Sequence, residues 1–72
     1  MGPSAFRQAI GGLGFHHHSG PNADGYELWV VSSRVHSGQM QLVTIPDIDK
    51  MSDALRRFWF ERLRERLNAG WW

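Results

Sequence analysis

The sequence feature that most constrains the fold is a pair of apolar segments separated by a polar turn. Tyr26–Val31 is rich in aromatic and β-branched residues, which favour strands, and Met40–Ile45 has a similar character. We extend the first strand to about Val35 and place the turn at His36–Gln39. Pro46 lacks a backbone donor and ends the second strand. The pattern therefore predicts an antiparallel hairpin.

The register of this hairpin depends on how the chain turns. A two-residue loop at Ser37-Gly38 would pair His36 with Gln39 and Val35 with Met40. The core face of the sheet would then carry Trp29, Val31, Val35, Met40 and Leu42. The second face would also be apolar at its open end, at Leu28, Val30, Val43 and Ile45. Because a one-sided sheet is polar on its second face, we expect another part of the chain, or a partner, to cover this end.

Helical patterns lie on both sides of the strands. Apolar residues at helical spacing predict a short helix over Pro3–Leu13 and a long helix over Met51–Leu67, capped by Ser52 or by Asp49. Phe15–Ser19 is predicted to be a further short strand, joined to the hairpin by a loop of turn-forming residues. The predicted fold class is α+β: a short N-terminal helix, a three-stranded antiparallel β-meander and a long C-terminal helix packed on the sheet. We expect residues 1–72 to form one small domain.

The amino-acid composition excludes several classes of protein. A chain of 72 residues with no cysteine cannot use disulfides, so we expect a cytoplasmic protein rather than a secreted mini-protein. No apolar run is long enough to span a bilayer, so no membrane partner is expected. The net charge is only +1, and its basic part is concentrated in residues 50–72. A core of this size is thin, so a partner or self-association would help to stabilise it.

The long helix carries the candidate binding residues. Its apolar arc is wider than one sheet contact needs, and arginines fall inside it rather than opposite it. Aromatic and arginine side chains dominate protein-binding surfaces, so we select Arg56, Trp59, Phe60, Arg62, Arg66, Trp71 and Trp72. Two alternatives stay open. The arginine stems could simply lie along apolar surface with their heads in water, or the arginines could contact phosphates. The tryptophan pair could likewise enlarge the core or include an exposed anchor.

No catalytic or metal site is assembled by the sequence. His16 and His18 share one side of the short strand, but neither a cysteine nor well-spaced further ligands accompany them, so no metal is predicted. The glycine-rich run Gly11–Gly14 follows a helix instead of opening one, which is not the context of a phosphate loop. We therefore predict no cofactor and no catalytic residue, and an enzyme is the less favoured class.

The helix–strand–strand–strand–helix order, with Leu13-Gly14-Phe15 after the first helix and Val43-Thr44-Ile45-Pro46 at the end of the sheet, resembles the HicA-type toxins. That resemblance implies a small double-stranded-RNA-binding-like unit that cleaves RNA with a histidine. The family places its histidine in a Gly-Ser-His run, whereas here His16, His17 and His18 follow Phe15 directly. The alternative function is therefore an RNA-binding or RNA-cleaving module that uses the basic helix, with Arg57 and Arg64 as phosphate contacts and with His16–His18 or His36 as the acid or base.

The leading hypothesis is a small non-enzymatic protein-binding module. Phages and mobile elements encode inhibitors and adaptors of this kind, which occlude a site on a larger protein. The motivation is the surplus of aromatic side chains beside arginines on the long helix. Self-association through the same surface is the nearest variant.

Overall fold

The chain folds in the α+β order that the sequence predicts. The computed structural model describes all 72 residues: helix α1 at Pro3–Gly12, strands β1 at Phe15–Ser19, β2 at Tyr26–Ser32 and β3 at Met40–Pro46, a 3₁₀ turn at Ile48–Lys50, and helix α2 at Asp53–Asn68. The strands form one antiparallel sheet in the order β1-β2-β3. The predicted fold class is confirmed.

Both helices pack on the same face of the sheet, which we call the inner face. α1 contributes Phe6 and Ile10 to the core, and α2 contributes Leu63 and Leu67. The sheet and the 3₁₀ turn supply the remaining buried apolar side chains, which are Phe15, Trp29, Val31, Val43, Ile45, Ile48 and Met51. No helix of the chain is both long enough and apolar enough to cross a membrane.

The start of α2 follows from its capping residue. The Ser52 hydroxyl accepts a hydrogen bond from the Leu55 N–H at 3.1 Å, and Asp53 stands in the first turn. A side-chain oxygen at this position satisfies a backbone donor that the helix cannot pair itself, and a carboxylate there opposes the positive end of the helix dipole. Of the two caps considered from the sequence, Ser52 is the one that the structure uses.

The hairpin register predicted from a two-residue loop is wrong. Trp29 pairs with Val43, Val31 with Gln41 and Ser32 with Met40. This register differs from the predicted one by three residues, and an odd shift turns every side chain of β3 to the other face. Val43 and Ile45 are therefore in the core, whereas three residues assigned to it, Val35, Met40 and Leu42, are exposed.

The longer connection between β2 and β3 explains the shift. The Ser33 hydroxyl accepts hydrogen bonds from the N–H groups of Val35 and His36, which bends the chain directly after β2. The Arg34 N–H donates to the backbone oxygen of Trp72 at 2.8 Å, so the connection is also held from outside the hairpin. As a result β2 ends at Ser32 rather than near Val35.

The face of the sheet away from the helices, which we call the outer face, is apolar and uncovered. Its apolar side chains are those of Tyr26, Leu28, Val30, Met40 and Leu42. Tyr26, Met40 and Leu42 are exposed, and Leu28 and Val30 are partly buried. The prediction of a second apolar face is correct for Leu28 and Val30 but wrong for Val43 and Ile45, which are in the core; β3 supplies Met40 and Leu42 to the outer face instead.

Candidate functional site

One side of α2 and the residues after it form a largely exposed surface, which we call the arginine–aromatic flank. It consists of the exposed residues Leu55, Phe58, Arg62 and Trp71 and the partly buried residues Trp59 and Arg66. Leu55, Phe58, Arg62 and Arg66 lie three or four positions apart in succession, and Trp59 lies four positions after Leu55, so all five helical residues follow one stripe along the helix. Phe58 is 50% exposed and Trp71 is 64% exposed. The core stripe of α2, which contains Leu63 and Leu67, lies beside this flank rather than under it.

Two arginines of the flank stack on its aromatic rings. The Arg62 guanidinium lies 5.0 Å from the centre of the Phe58 ring, and the Arg66 guanidinium lies 4.5 Å from the centre of the Trp71 ring. Neither guanidinium has a carboxylate within salt-bridge distance. These cation–π contacts favour positions of both groups over the rings, while their N–H donors stay free of carboxylates of the chain.

The end of α2 places Trp71 against Arg66. The Trp71 N–H donates to the Arg66 carbonyl at 3.0 Å and the Gly70 N–H donates to the Leu67 carbonyl at 3.2 Å. This is the Schellman pattern, and it needs a left-handed residue at Gly70, whose φ is +80°. Gly70, which ends the helix, thus also turns Trp71 back onto the last helical turn. A cavity of about 260 Å³ opens there, lined by Arg62, Glu65, Arg66, Ala69 and Trp71.

Three other residues selected for protein binding lie elsewhere. Phe60 is half-buried on the far edge of the core stripe, under the Arg64 guanidinium at 5.4 Å. Trp72 is half-buried and packs edge-to-face on Phe15, with ring centres 5.6 Å apart. Trp72 thus extends the core, while Trp71 is the exposed member of the pair.

Arg56 corrects the surface assignment most clearly, because the residue is only 5% exposed. Its guanidinium donates to the carbonyls of Met1 and Ile48 at 2.7 Å each, and also to the Met51 carbonyl and the Asp53 carboxylate. The hydrogen bond from Arg56 is the main reason that the pKa of Asp53 lies below its ordinary value. Arg56 is therefore a structural residue that ties the N-terminus and the 3₁₀ turn to α2.

The residues named for nucleic-acid binding do not converge on one surface. His16 pairs with Val30 and lies on the outer face, whereas α2 packs on the inner face. Arg64 forms an ion pair with Glu61, and Arg57 is exposed. His18 stands in the irregularity of β1 between His17 and Ser19, with its Nδ1 3.2 Å from the Ser19 hydroxyl. No group of three His, Cys, Asp or Glu side chains is arranged to hold a metal ion.

A second cluster that the sequence analysis missed surrounds Glu27, whose side chain is 2% exposed. Its carboxylate accepts hydrogen bonds from the Trp29 indole at 3.3 Å and from the Ile48 N–H at 2.9 Å. His17 Nε2 lies 3.6 Å from Oε1 and Arg7 lies 3.9 Å from Oε2. Glu27 alternates with Trp29 and Val31 along β2, so strand periodicity would have placed it on the inner face.

The Glu27 cluster borders a cavity of about 370 Å³, lined by Arg7, His17, Gly20, Pro21, Glu27 and Trp29. Arg7 is held at its rim by two hydrogen bonds of 3.1 Å to the Asp49 carboxylate. These bonds lower the pKa of Asp49 and raise the pKa of Arg7. Both carboxylate oxygens of Glu27 and both terminal nitrogens of Arg7 are bonded within the chain, so these groups join α1, β2 and the 3₁₀ turn.

Comparisons of the chain with protein-family models, with curated proteins and with solved structures find no match.

Proposed function

We propose that the protein is a small protein-binding module that engages a partner through the arginine–aromatic flank. The single observation that carries the proposal is the pair of stacks, Arg62 on Phe58 and Arg66 on Trp71, on an exposed apolar surface. Arginine and large aromatic residues are the types enriched at the centres of binding surfaces.

The chemistry of the flank selects a class of partner. Arg62 and Arg66 present donors that no carboxylate of this chain occupies, so they favour the carboxylates of a partner. Leu55, Phe58 and Trp71 lie beside them and favour apolar side chains. The matching partner is a protein segment in which Asp or Glu residues flank an apolar residue. Both guanidinium groups already lie over aromatic rings before binding, which reduces the entropy lost on association.

The module would act by occlusion. A chain of 8.3 kDa that covers an acidic–apolar site on a larger protein blocks access to that site without any chemistry of its own. This is the inhibitor or adaptor role expected from the sequence, with the arginine–aromatic flank as the binding surface.

The test begins with capture from the native host and continues with a purified pair. The wild-type chain, the Arg66→Glu and Trp71→Ala variants, and the Arg57→Glu control are immobilised in parallel. Arg57 is a matched control because it is an exposed arginine of α2 outside the flank. A captured protein is then purified and titrated against each chain. We expect Arg66→Glu and Trp71→Ala to weaken its binding by at least about 30-fold, the loss of a hot-spot residue, and Arg57→Glu to leave it nearly unchanged.

A cross-linker placed at position 71 identifies the partner segment, which should contain Asp or Glu beside an apolar residue. Equal binding by all four chains would overturn the proposal. A salt-sensitive shift of RNA that is lost on substitution of Arg57 and Arg64, with no protein captured through the flank, would replace it by the nucleic-acid alternative.

A further inference from the structure

β3 is an edge strand that is protected only at its end, by Pro46. Met40–Pro46 contains no charged residue, and only β2 pairs with it. Leu42 is 63% exposed and Met40 is 56% exposed, so the apolar exposure of the outer face is greatest along this edge. Natural edge strands usually carry a lysine, an inward-pointing charge, a bulge or a covering element, because an unprotected edge pairs with other strands.

The hydrogen bonds at the two ends of the hairpin show which backbone groups of β3 are free. The Ser33 N–H donates to the Gln39 carbonyl at 2.8 Å, and the Asp47 N–H donates to the Gly25 carbonyl at 2.9 Å. In an antiparallel ladder hydrogen-bonded pairs alternate with non-bonded pairs, so the odd-numbered residues of β3 face β2. The even-numbered residues direct their backbone groups away from the sheet. Met40, Leu42 and Thr44 therefore present free donors and acceptors, whereas Pro46 has no donor.

We propose that β3 pairs antiparallel with β3 of a second copy of the chain, about a twofold axis at Leu42. In this register Leu42 pairs with Leu42 of the second copy, and Met40 pairs with its Thr44. Each free N–H of the strand then meets a carbonyl of the other strand. Pro46 falls opposite Gly38, beyond the end of the strand, where its missing donor costs nothing. If the pairing were shifted by two residues towards the end of β3, Pro46 would lie opposite Met40. The hydrogen bond from position 46 to the Met40 carbonyl would then be lost, because proline has no N–H.

The partner that pairs with β3 is a second copy of the chain, because the β3 edge is complementary to itself. An uncharged strand meets no like charge across the axis, and the Leu42 side chains become neighbours on the outer face. The opposite edge of the sheet is a poorer candidate. β1 has a register irregularity between His17 and Ser19, and three of its five residues are histidines, so a continuous ladder cannot form along it.

The test is the mass of the chain in solution, measured by sedimentation equilibrium. An interface built from one strand is smaller than a standard one, so we expect dissociation between about 10 μM and about 1 mM. The wild-type mass should rise from 8.3 kDa towards twice that value over this range. Amide exchange at Met40, Leu42 and Thr44 should slow as the concentration rises.

Two variants block the pairing in different ways. Thr44→Pro removes one outward donor but no bond to β2, and Leu42→Lys places a charge beside its own copy at the axis. Both should stay at the mass of one chain throughout. Thr44→Val keeps the donor, and Phe58→Lys changes the arginine–aromatic flank alone, so both controls should associate as the wild type does. Circular dichroism checks that each variant is folded.

The proposal is overturned if the wild type stays at 8.3 kDa at every concentration. It is also overturned if folded Thr44→Pro and Leu42→Lys associate like the wild type, or if the three edge amides exchange at a concentration-independent rate. These outcomes do not bear on the function proposed for the flank, because Phe58→Lys changes the flank without changing β3.

Discussion

Replacing Arg56 by alanine should remove much of the stability of the fold. The Arg56 guanidinium donates to the carbonyls of Met1, Ile48 and Met51. These hydrogen bonds join the N-terminus and the segment that contains the 3₁₀ turn to α2. Alanine leaves these acceptors unpaired next to a cavity. The loss in the free energy of unfolding should therefore be much larger than for the same substitution of a surface arginine.

The magnitude can be worked from these bonds. A hydrogen bond to a charged group contributes about 1.5–3 kcal/mol, so three independent bonds would contribute about 4.5–9 kcal/mol. Neighbouring bonds are not independent, and removal of one member of a buried ionic network typically costs about 3–5 kcal/mol. At about 0.05–0.15 kcal/mol per residue, a 72-residue chain has a free energy of unfolding of about 4–11 kcal/mol. Arg56→Ala should therefore remove between about a quarter and all of the stability.

The assay is urea unfolding followed by tryptophan fluorescence, with Arg56→Lys and Arg57→Ala measured alongside Arg56→Ala. Lysine supplies one point charge in place of a planar fork, so Arg56→Lys should fall between the wild type and Arg56→Ala. Arg57 is exposed and makes no ion pair, so Arg57→Ala should change the free energy of unfolding by no more than about 0.5 kcal/mol. A difference below about 1 kcal/mol between Arg56→Ala and Arg57→Ala would refute the reasoning, because unpaired carbonyls would then carry no cost.

Two further predictions concern the loop before β2 and the response to acid. Gly20→Ala should lower the free energy of unfolding by about 1–3 kcal/mol, because Gly20 has a φ of +96° and a Cβ there would lie 2.8 Å from the Tyr26 carbonyl oxygen. Gly11→Ala, which meets open space in a helix, is the control, and equal unfolding midpoints for the two variants would contradict the prediction. Hydrogen bonds from Arg7 and Arg56 lower the pKa of Asp49 and Asp53 in the folded chain, so the unfolded chain binds more protons in acid and stability should fall as the pH drops below about 4. Asp49→Asn should flatten the dependence of the urea midpoint on pH in this range, and an unchanged slope would show that its pairing with Arg7 does not stabilise the fold.

The elements of the fold could be predicted from the sequence because their signals are local. The helical spacing of Phe6 and Ile10, the Ser52 cap and the strand-forming run at Tyr26–Val31 each lie within a few residues of the structure that they determine. The side of α2 that carries Arg62 and Arg66 was predictable in the same way. Helical periodicity alone brings these residues onto one stripe.

The burial of Arg56 and Glu27 could not be predicted from the helical wheel or from composition. The acceptors of Arg56 include the carbonyls of Met1 and Ile48, and one donor to Glu27 is the N–H of Ile48. Charged side chains enter a core only where such partners exist. In both cases Ile48 of the 3₁₀ turn provides one of these partners, and no periodic pattern marks a turn of that length.

The register of β3 was missed because its cause lies only partly within the hairpin. The Ser33 hydroxyl bends the chain after β2, and the Arg34 N–H is bound to Trp72, which lies at the other end of the chain. The resulting connection is longer than the two-residue loop at Ser37-Gly38, and it reverses the parity of β3. The same parity sends Val43 and Ile45 into the core and turns the free donors of Met40, Leu42 and Thr44 outward. The proposed pairing of two copies thus depends on this parity, because the opposite parity would turn the donors of Gln41, Val43 and Ile45 outward instead.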